Sequence, residues 1–345
     1  MSVLPLDATP SVEILNGNVS VQNNARAMIT YAYYDGLGRL SGNIYRKASP
    51  DGHDWVDHVT YNNYGQESER WSIAPIDEFP ATHENVISAI KSYYQDDTPY
   101  SQITYEKSPL CRPITSTIPG TTYQTHPNSI DYDTNADNAI LRFEVSSGGI
   151  QKMSYYPAGS LRKTTRTDAD GKTQVEYYDL RDNMVMCQLG TINKTYYVYD
   201  KFGRLSYILP DLLAMQLSSG VTPDNDAAMW QYAYIYHYDS KDNLITKKLP
   251  GCEPILMVYD VTGKLILSQN GNQRERMNCW VYNAYDYLGR IVYTSEICMP
   301  NVSHQDLMTQ FKNIVAKETF VTDYYENDLG YTNTYFTSAK VKPLV

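Results

Sequence analysis

Short runs of apolar and β-branched residues, each bounded by Asp, Gly or Asn, recur along most of the chain. Residues 195–199 (TYYVY) and 205–209 (LSYIL) are two such runs, and the turn-forming residues Asp200 and Gly203 lie between them. Runs of about four to eight aromatic and β-branched residues that end at turn residues are typical of strands in β-hairpins. The pattern therefore predicts an all-β fold built from successive hairpins.

Three stretches carry apolar residues at helical spacing instead. Residues 84–93, 226–230 and 303–316 have this pattern, and the last two begin at an Asp or Ser of the kind that caps a helix. Residues 211–226 contain Ser, Gly and Pro and are expected to form a long loop. We therefore predict minor helical insertions in a β-sheet.

The motif Tyr-Asp-x-x-Gly-Arg/Lys-Leu/Ile occurs in four clear copies. Its Tyr, Asp, Gly and cationic positions are Tyr34, Asp35, Gly38 and Arg39; Tyr199, Asp200, Gly203 and Arg204; Tyr259, Asp260, Gly263 and Lys264; and Tyr285, Asp286, Gly289 and Arg290. Asp at the first turn position and Gly at the fourth favour a type I turn that closes a bulged hairpin, with the Gly at positive φ. We expect each cation to pair with the turn Asp or lie over a neighbouring Tyr, in preference to forming a basic ladder for an acidic ligand.

Weaker copies of the motif begin at Tyr61, Tyr156, Tyr178 and Tyr238. In the last two we assign Asn183 and Asn243 to the Gly position, because Asn tolerates positive φ. From Tyr156 to Tyr285, neighbouring copies start 21 to 26 residues apart, except for a 39-residue step between Tyr199 and Tyr238. This period corresponds to two strands and two turns, with an insertion in the long step.

The composition narrows the classes of function. The chain has 345 residues with 33 Tyr, and Tyr favours half-buried strand surfaces. A net charge of -10 opposes binding to a phosphate backbone, so we expect no nucleic-acid partner. The chain has no signal-peptide pattern and no apolar run of about 18 residues, so membrane insertion is not expected. The five scattered cysteines are expected to pack as small apolar side chains.

One polar segment resembles a calcium-binding loop in part. Oxygen-bearing side chains alternate at Asp131, Asp133, Asn135 and Asp137. Ala136 and Arg142 stand where such a loop needs Gly and Glu, so a solvated polar loop is the favoured interpretation and calcium the alternative. The sequence Asp-Ala-Asp-Gly at 168–171 favours a hairpin turn.

No motif identifies a nucleophile, a catalytic base or a cofactor-binding loop. The six histidines, including His53 and His58, are dispersed and are expected in loops or at the surface. We therefore expect no enzyme activity, no cofactor and no metal site.

The repeated motif resembles that of the RHS/YD-repeat proteins, whose name comes from the Tyr-Asp pair. The likeness is greatest over residues 195–295, where Leu-Pro-Gly at 249–251 and Gly-Asn-Gln-Arg at 271–274 connect the copies. A second block at 33–52 resembles the region that precedes the repeats in long RHS-repeat proteins of Bacteroidetes. Together the two blocks make about residues 29–300 resemble the N-terminal part of such proteins.

The resemblance implies an array of YD-repeat hairpins in an extended, curved antiparallel sheet that forms part of a hollow shell. In polymorphic toxins such shells enclose a variable C-terminal effector, and in relatives they act as cell-surface scaffolds. This chain is shorter than a closed shell and has no Asp-Pro pair of the kind found where many shells cleave themselves. Autoproteolysis and toxin activity are therefore not carried over.

We expect a non-catalytic shell segment that scaffolds or encloses another part of a larger polypeptide. Its partner would be the remainder of an RHS polypeptide or its effector region, and open sheet edges predict self-association. The resemblance implies an extracellular or cell-surface location. The alternative is a free-standing cell-surface module for a carbohydrate or protein ligand, which a cluster of Tyr with Trp71, Trp230 or Trp280 on one concave face would support and burial of all three Trp would exclude.

The sequence divides into four predicted segments. These are an irregular lead-in over 1–28, an N-terminal β region over 29–150, the YD-repeat array over 151–300, and a helix with a terminal β segment over 301–345.

Overall fold

The computed structural model describes residues 2–5, 12–15, 18–21, 27–77, 82–321, 330–336 and 342–343. The chain divides into two compact units. The first comprises Met1–Tyr132 with Thr164–Val175, and the second comprises Asp133–Lys163 with Glu176–Val345. Strands account for 45% of the structure and helices for 14%, so the predicted all-β fold with minor helical insertions is confirmed.

The elements follow one another as short strands with helices between some of them. The strands are β1 Ser2–Pro5, β2 Val12–Leu15, β3 Asn18–Val21, β4 Ala27–Tyr34, β5 Leu40–Arg46, β6 Asp54–Tyr61, β7 Glu67–Ile76, β8 Tyr100–Tyr105, β9 Pro113–Thr117, β10 Asn128–Thr134, β11 Leu141–Ser146, β12 Gly149–Tyr155, β13 Arg162–Thr167, β14 Thr173–Tyr178, β15 Met184–Leu189, β16 Asn193–Tyr199, β17 Leu205–Pro210, β18 Gly220–Thr222, β19 Tyr234–Tyr238, β20 Leu244–Lys248, β21 Ile255–Tyr259, β22 Leu265–Gln269, β23 Cys279–Tyr285, β24 Ile291–Cys298 and β25 Lys342–Pro343. The helices are α1 His83–Tyr94, α2 Thr121–Gln124, α3 Asp211–Gln216, α4 Ala227–Tyr232, α5 Gly271–Glu275 and α6 His304–Phe311.

The first unit is a series of antiparallel pairs in which each strand from β4 to β9 bonds to the next. Strand β1 pairs with β4, and β9 pairs with β10. Helix α1 lies against this sheet, and its buried Val86 and Ile90 pack with Val56, Trp71 and Ala74 of β6 and β7. The core of this unit therefore lies between one helix and one sheet face.

The second unit repeats the same pairing over a longer run. Each strand pairs antiparallel with the next in the order β15, β16, β17, β19, β20, β21, β22, β23, β24 and β25. A smaller sheet contains β11, β12 and β18. The hairpin array predicted from the motif spacing is thus the organising feature of this unit.

A core of aromatic and aliphatic side chains lies between α6 and the last strands of the second unit. Trp280 and Tyr282 of β23 are about 1% exposed and pack with Leu307 and Phe311 of α6. The helix was expected to continue to residue 316 but ends at Phe311. Beyond the helix, the backbone bonds to the turn of the third clear copy of the motif: the Ala316 N–H donates to the Asp260 carboxylate at 3.1 Å.

The other two predicted helices are present, and the described residues include three helices, α2, α3 and α5, that the sequence analysis missed. Helices α1 and α4 begin after the capping residues Thr82 and Asp226. The segment 211–226, predicted to be a loop, begins with α3, because Leu213 and Ala214 are buried against β16 and β17. In the part of the chain that the structure describes, no helix is long and apolar enough to span a membrane.

Two further expectations from the sequence differ from the structure. The expected irregular lead-in at residues 1–28 contains β1, β2, β3 and the start of β4. Cys279 and Cys298, expected to pack as isolated apolar residues, form a disulfide. They face each other directly because the register of β23 and β24 pairs these two positions. The four segment boundaries drawn from the sequence remain predictions.

Candidate functional site

The four clear copies of the repeat motif form the same closed turn. In the copy at Asp200, the Gly203 N–H donates to the Asp200 carbonyl at 3.0 Å, and the Asp200 N–H donates to the Arg204 carbonyl at 2.9 Å. Gly203 has a φ of 84°, and the strand register shifts by one residue between Val198 and Tyr199. This is a type I turn followed by a left-handed residue in a bulge, as the motif predicts. The equivalent residues Gly38, Gly263 and Gly289 have φ values of 77°, 82° and 82°.

The turn Asp holds the backbone of its own turn with its carboxylate. Oδ1 of Asp35 accepts from the N–H groups of Leu37 and Arg39, both at 2.9 Å. Oδ2 accepts from Nε of Arg39 at 2.7 Å. The backbone N–H of Arg39, and next its guanidinium, lower the pKa of Asp35 because they stabilise the charged form. Asp200 and Asp286 pair with Arg204 and Arg290 in the same way.

The cation of one copy lies over the tyrosine of the next copy. Cζ of Arg39 is 4.3 Å from the ring centroid of Tyr61, and Cζ of Arg204 is 4.9 Å from that of Tyr238. Nζ of Lys264 lies 5.4 Å from the centroid of Tyr285. Each of these three cations therefore joins two successive hairpins through a contact worth roughly 0.5–1 kcal/mol at an exposed site.

The same tyrosines make a second link through their hydroxyl groups. Tyr238 donates to the carbonyl of Leu205 at 2.9 Å, and Tyr285 donates to the carbonyl of Leu265 at 3.1 Å. In each case the acceptor is the residue that follows the cation of the preceding copy. The same bond joins Tyr61 to Leu40, Tyr105 to Glu67, Tyr132 to Pro113 and Tyr199 to Met184. We call this series of bonds the tyrosine ladder.

These contacts define what the motif residues do chemically. The Asp fixes the turn, the Gly supplies the left-handed residue, and the cation and the tyrosine join neighbouring hairpins. The reactive groups of the motif are thus engaged within the array, and the arrangement stabilises a sheet of repeated hairpins.

Solved structures with this fold come from Tc toxins. The TcdB2-TccC3 structure matches with a TM-score of 0.51 and 13% identity, over 80% of this chain and 13% of that chain. A TcdB2-TccC3-TEV structure gives a TM-score of 0.52 and 13% identity, over 85% of this chain and 13% of that chain. The Tc holotoxin pore of Photorhabdus luminescens gives 0.50 and 13%, over 82% of this chain and 13% of that chain.

The fold is similar to that of the RHS shell proteins of Tc toxins. The chain spans 13% of the length of those solved proteins, about an eighth. A domain of unknown function, DUF6443, matches residues 7–136. No curated protein matches the sequence.

The weaker copies show a correction to the sequence analysis. Asp182 and Asp242, with φ values of 66° and 67°, occupy the left-handed position that we had assigned to Asn183 and Asn243. The two Asn residues stand at the cation position, where the amide of Asn243 donates to Asp239 at 2.9 Å. Asp adopts the left-handed region more readily than most residues, which explains why it replaces Gly here.

The polar segment at 131–137 is not arranged as a calcium loop. Asp131 and Asp133 are exposed residues of β10, whereas Asn135 is 2% exposed. The Asn135 amide donates to the Pro157 carbonyl at 2.8 Å and accepts from the Leu161 N–H at 2.8 Å. Within the described ranges, no group of three or more His, Cys, Asp or Glu side chains is placed to hold a metal ion. The Asp168–Gly171 segment forms the predicted hairpin turn.

The tryptophans do not form an exposed aromatic face. Trp71 and Trp280 are 6% and 1% exposed and belong to the two cores, while Trp230 is half-buried. His58 also differs from the expectation of a loop or surface position. It lies in β6 and is 5% exposed, because α1 covers that face of the sheet.

A cavity of about 590 Å³ lies in the second unit beside β17 and β19. Tyr207, Asp224 and His237 line it and are joined by hydrogen bonds. The Tyr207 hydroxyl donates to Asp224 Oδ1 at 2.8 Å, and His237 Nε2 lies 2.9 Å from Asp224 Oδ2. The hairpin loop 146–149 also lines the cavity. Sequence reasoning missed this group, because the long insertion between repeats brings Asp224 to the other two residues.

Proposed function

We propose that this chain is a structural segment of an RHS/YD-repeat shell that scaffolds or encloses another part of a longer polypeptide and has no catalytic role. The tyrosine ladder carries the proposal. Tyr61, Tyr199, Tyr238 and Tyr285 bond to the adjoining hairpin, whereas the Tyr259 hydroxyl contacts Met257 of its own strand. The bonds of the ladder thus help to join hairpins into a continuous sheet. A sheet extended in this way can serve as a wall.

Two observations support the wider context of this proposal. The chain matches 13% of the length of the solved Tc toxin proteins, which is consistent with one segment of a longer wall. The order of the repeat copies and connectors supports a relationship to the N-terminal part of Bacteroidetes RHS-repeat proteins. The partner would be the remainder of that polypeptide or its effector region.

The disulfide between Cys279 and Cys298 bears on the cellular compartment in which the protein works. Disulfides persist in oxidising compartments and are rare in the cytosol. We therefore place the segment outside the cell or at its surface, as part of the same proposal.

The decisive experiment is to detect the native polypeptide in its own cells with an antibody against this chain. The expected result is a band far above 39.4 kDa in the surface or extracellular fraction. Proteinase treatment of the native material should spare the region outside this chain until the array is unfolded with urea. A band at 39.4 kDa, or digestion of that region at the same rate in both states, would overturn the enclosing role.

The cavity at Asp224 favours a second candidate, a carbohydrate-binding module. A carboxylate, an imidazole and a tyrosine hydroxyl that converge on one cavity can bond to sugar hydroxyl groups. Saturation-transfer NMR with the methyl glycosides of mannose, galactose and N-acetylglucosamine tests it. Binding should be lost in Asp224→Asn and kept in Asp170→Asn, whose carboxylate is exposed and does not line the cavity. Equal spectra from both variants would reject the candidate.

A further inference from the structure

A histidine with an unused ring nitrogen lies beneath helix α1. His58 follows a bulge in β6, is 5% exposed and hydrogen-bonds to the backbone of Ser41. Its Nε2 is buried and has no hydrogen-bond partner among the residues that the structure describes. The bond to Ser41 therefore comes from Nδ1, and a neutral ring with its proton on Nδ1 carries a lone pair on Nε2.

The neighbouring carboxylate is occupied elsewhere. Asp57 lies in the same strand, and its carboxylate accepts hydrogen bonds from Asn43 and Tyr45. A buried acceptor without a donor is unfavourable, so the position calls for an occupant.

The second imidazole lies directly beside the first. His83 is the first residue of α1, after the capping residue Thr82, and its side chain is exposed to solvent. The His58 and His83 ring centroids are 4.3 Å apart, and the ring planes are inclined at 76°. Solvent thus has access to the pair through His83.

The distance between the two ring centroids can be compared with the distance expected when two imidazoles bind one metal ion. A metal–nitrogen bond of about 2.0–2.1 Å places each ring centroid roughly 3.2 Å from the metal. Two such rings at adjacent coordination positions have centroids about 4.5–5.2 Å apart. The observed 4.3 Å lies a few tenths of an ångström below the lower end of this range, so the exposed His83 side chain would have to rotate outward when a metal binds.

We propose that His58 and His83 form a binding site for a divalent transition metal ion, with water in the remaining coordination positions. Imidazole ligands favour Cu²⁺, Ni²⁺ and Zn²⁺ and offer no oxygen ligands to Ca²⁺ or Mg²⁺. The bond from Nδ1 to Ser41 orients His58 in the manner of the outer-shell contacts that orient metal-bound histidines. A bound metal would tie the start of α1 to β6.

The test is a titration of the full chain with CuCl₂ and with ZnCl₂ at pH 7.5, followed by calorimetry and, for copper, electron paramagnetic resonance. We expect one ion per chain, with copper bound more tightly than zinc and two imidazole nitrogens in the copper spectrum. His83→Ala should weaken binding at least tenfold, and His83→Cys should restore zinc binding because a thiolate is also a zinc ligand.

His126→Ala is the matched control, since His126 is an exposed histidine in the same unit and bonds to Thr125. It should bind like the wild type. Because His83 is exposed, its variants should keep the fold, and circular dichroism checks this. The absence of stoichiometric binding, equal affinity of His83→Ala and the wild type, or a spectrum with fewer than two imidazoles would each overturn the site.

Discussion

Replacing Gly203 by valine isolates the energetic cost of the left-handed turn position. Gly203 has a φ of 84°, and a Cβ added there meets no atom within 4 Å. Steric contact with neighbouring residues therefore contributes little, and the cost comes from the backbone conformation. A left-handed conformation costs an L residue roughly 1–2 kcal/mol, and a β-branched residue lies at the upper end, so we expect about 2 kcal/mol. Aspartate should cost less, because Asp182 and Asp242 occupy the same position in this chain.

The assay is urea unfolding of the full chain, with hydrogen exchange over residues 195–210 to localise the effect. Lys201→Val is the matched control, because position 201 belongs to the same turn and the equivalent residue in another copy is Val261. The expected order of destabilisation is Gly203→Val, then Gly203→Asp, then Lys201→Val. If Gly203→Val and Lys201→Val differ by less than about 0.5 kcal/mol, the left-handed conformation is not the determinant of turn stability.

Three further outcomes follow from the described contacts. Tyr238→Phe should cost about 1 kcal/mol in urea unfolding because it removes one bond of the tyrosine ladder, whereas Tyr287→Phe, at an exposed ring, should cost almost nothing. Burial raises the pKa of Tyr196 to about 12, so the stability that its neutral form provides is complete below pH 10 and is lost between about pH 10 and 12. In urea unfolding measured over this pH range, Tyr196→Phe should reduce the loss of stability, and an unchanged loss would contradict the prediction. Reduction with dithiothreitol should lower stability by about 2–4 kcal/mol in the wild type and leave Cys298→Ser unaffected, while equal responses would argue against the disulfide.

The parts of the fold that depend on local sequence could be predicted. The turns at Asp200 and Asp286 follow from residues within five positions of each other, because the Asp carboxylate and the Gly conformation act inside one turn. Helix α1 was recognised for the same reason, from its apolar spacing. The error at Asn183 shows the limit of this reasoning, since Asp and Asn both tolerate positive φ and only their place in the turn distinguishes them.

The parts that depend on strand register could not be predicted. Cys279 and Cys298 face each other only because β23 and β24 pair in one register out of several. The burial of His58 depends on how α1 packs against β6, which no local pattern specifies. The acceptors of the tyrosine ladder are backbone carbonyls, such as that of Leu205, and a carbonyl has no sequence signature.

The bond between Tyr238 and Leu205 spans 33 positions of sequence, because the insertion that contains α3 and α4 lies between the two residues. The joint between the two hairpins is nevertheless the same as that between Tyr285 and Leu265, which are 20 positions apart. The length of the connecting segment therefore does not determine whether this tyrosine bond between hairpins forms. In evolutionary terms, new segments can enter between repeats while the adjoining hairpins keep their junction, so the connectors are the places where such a wall can diversify.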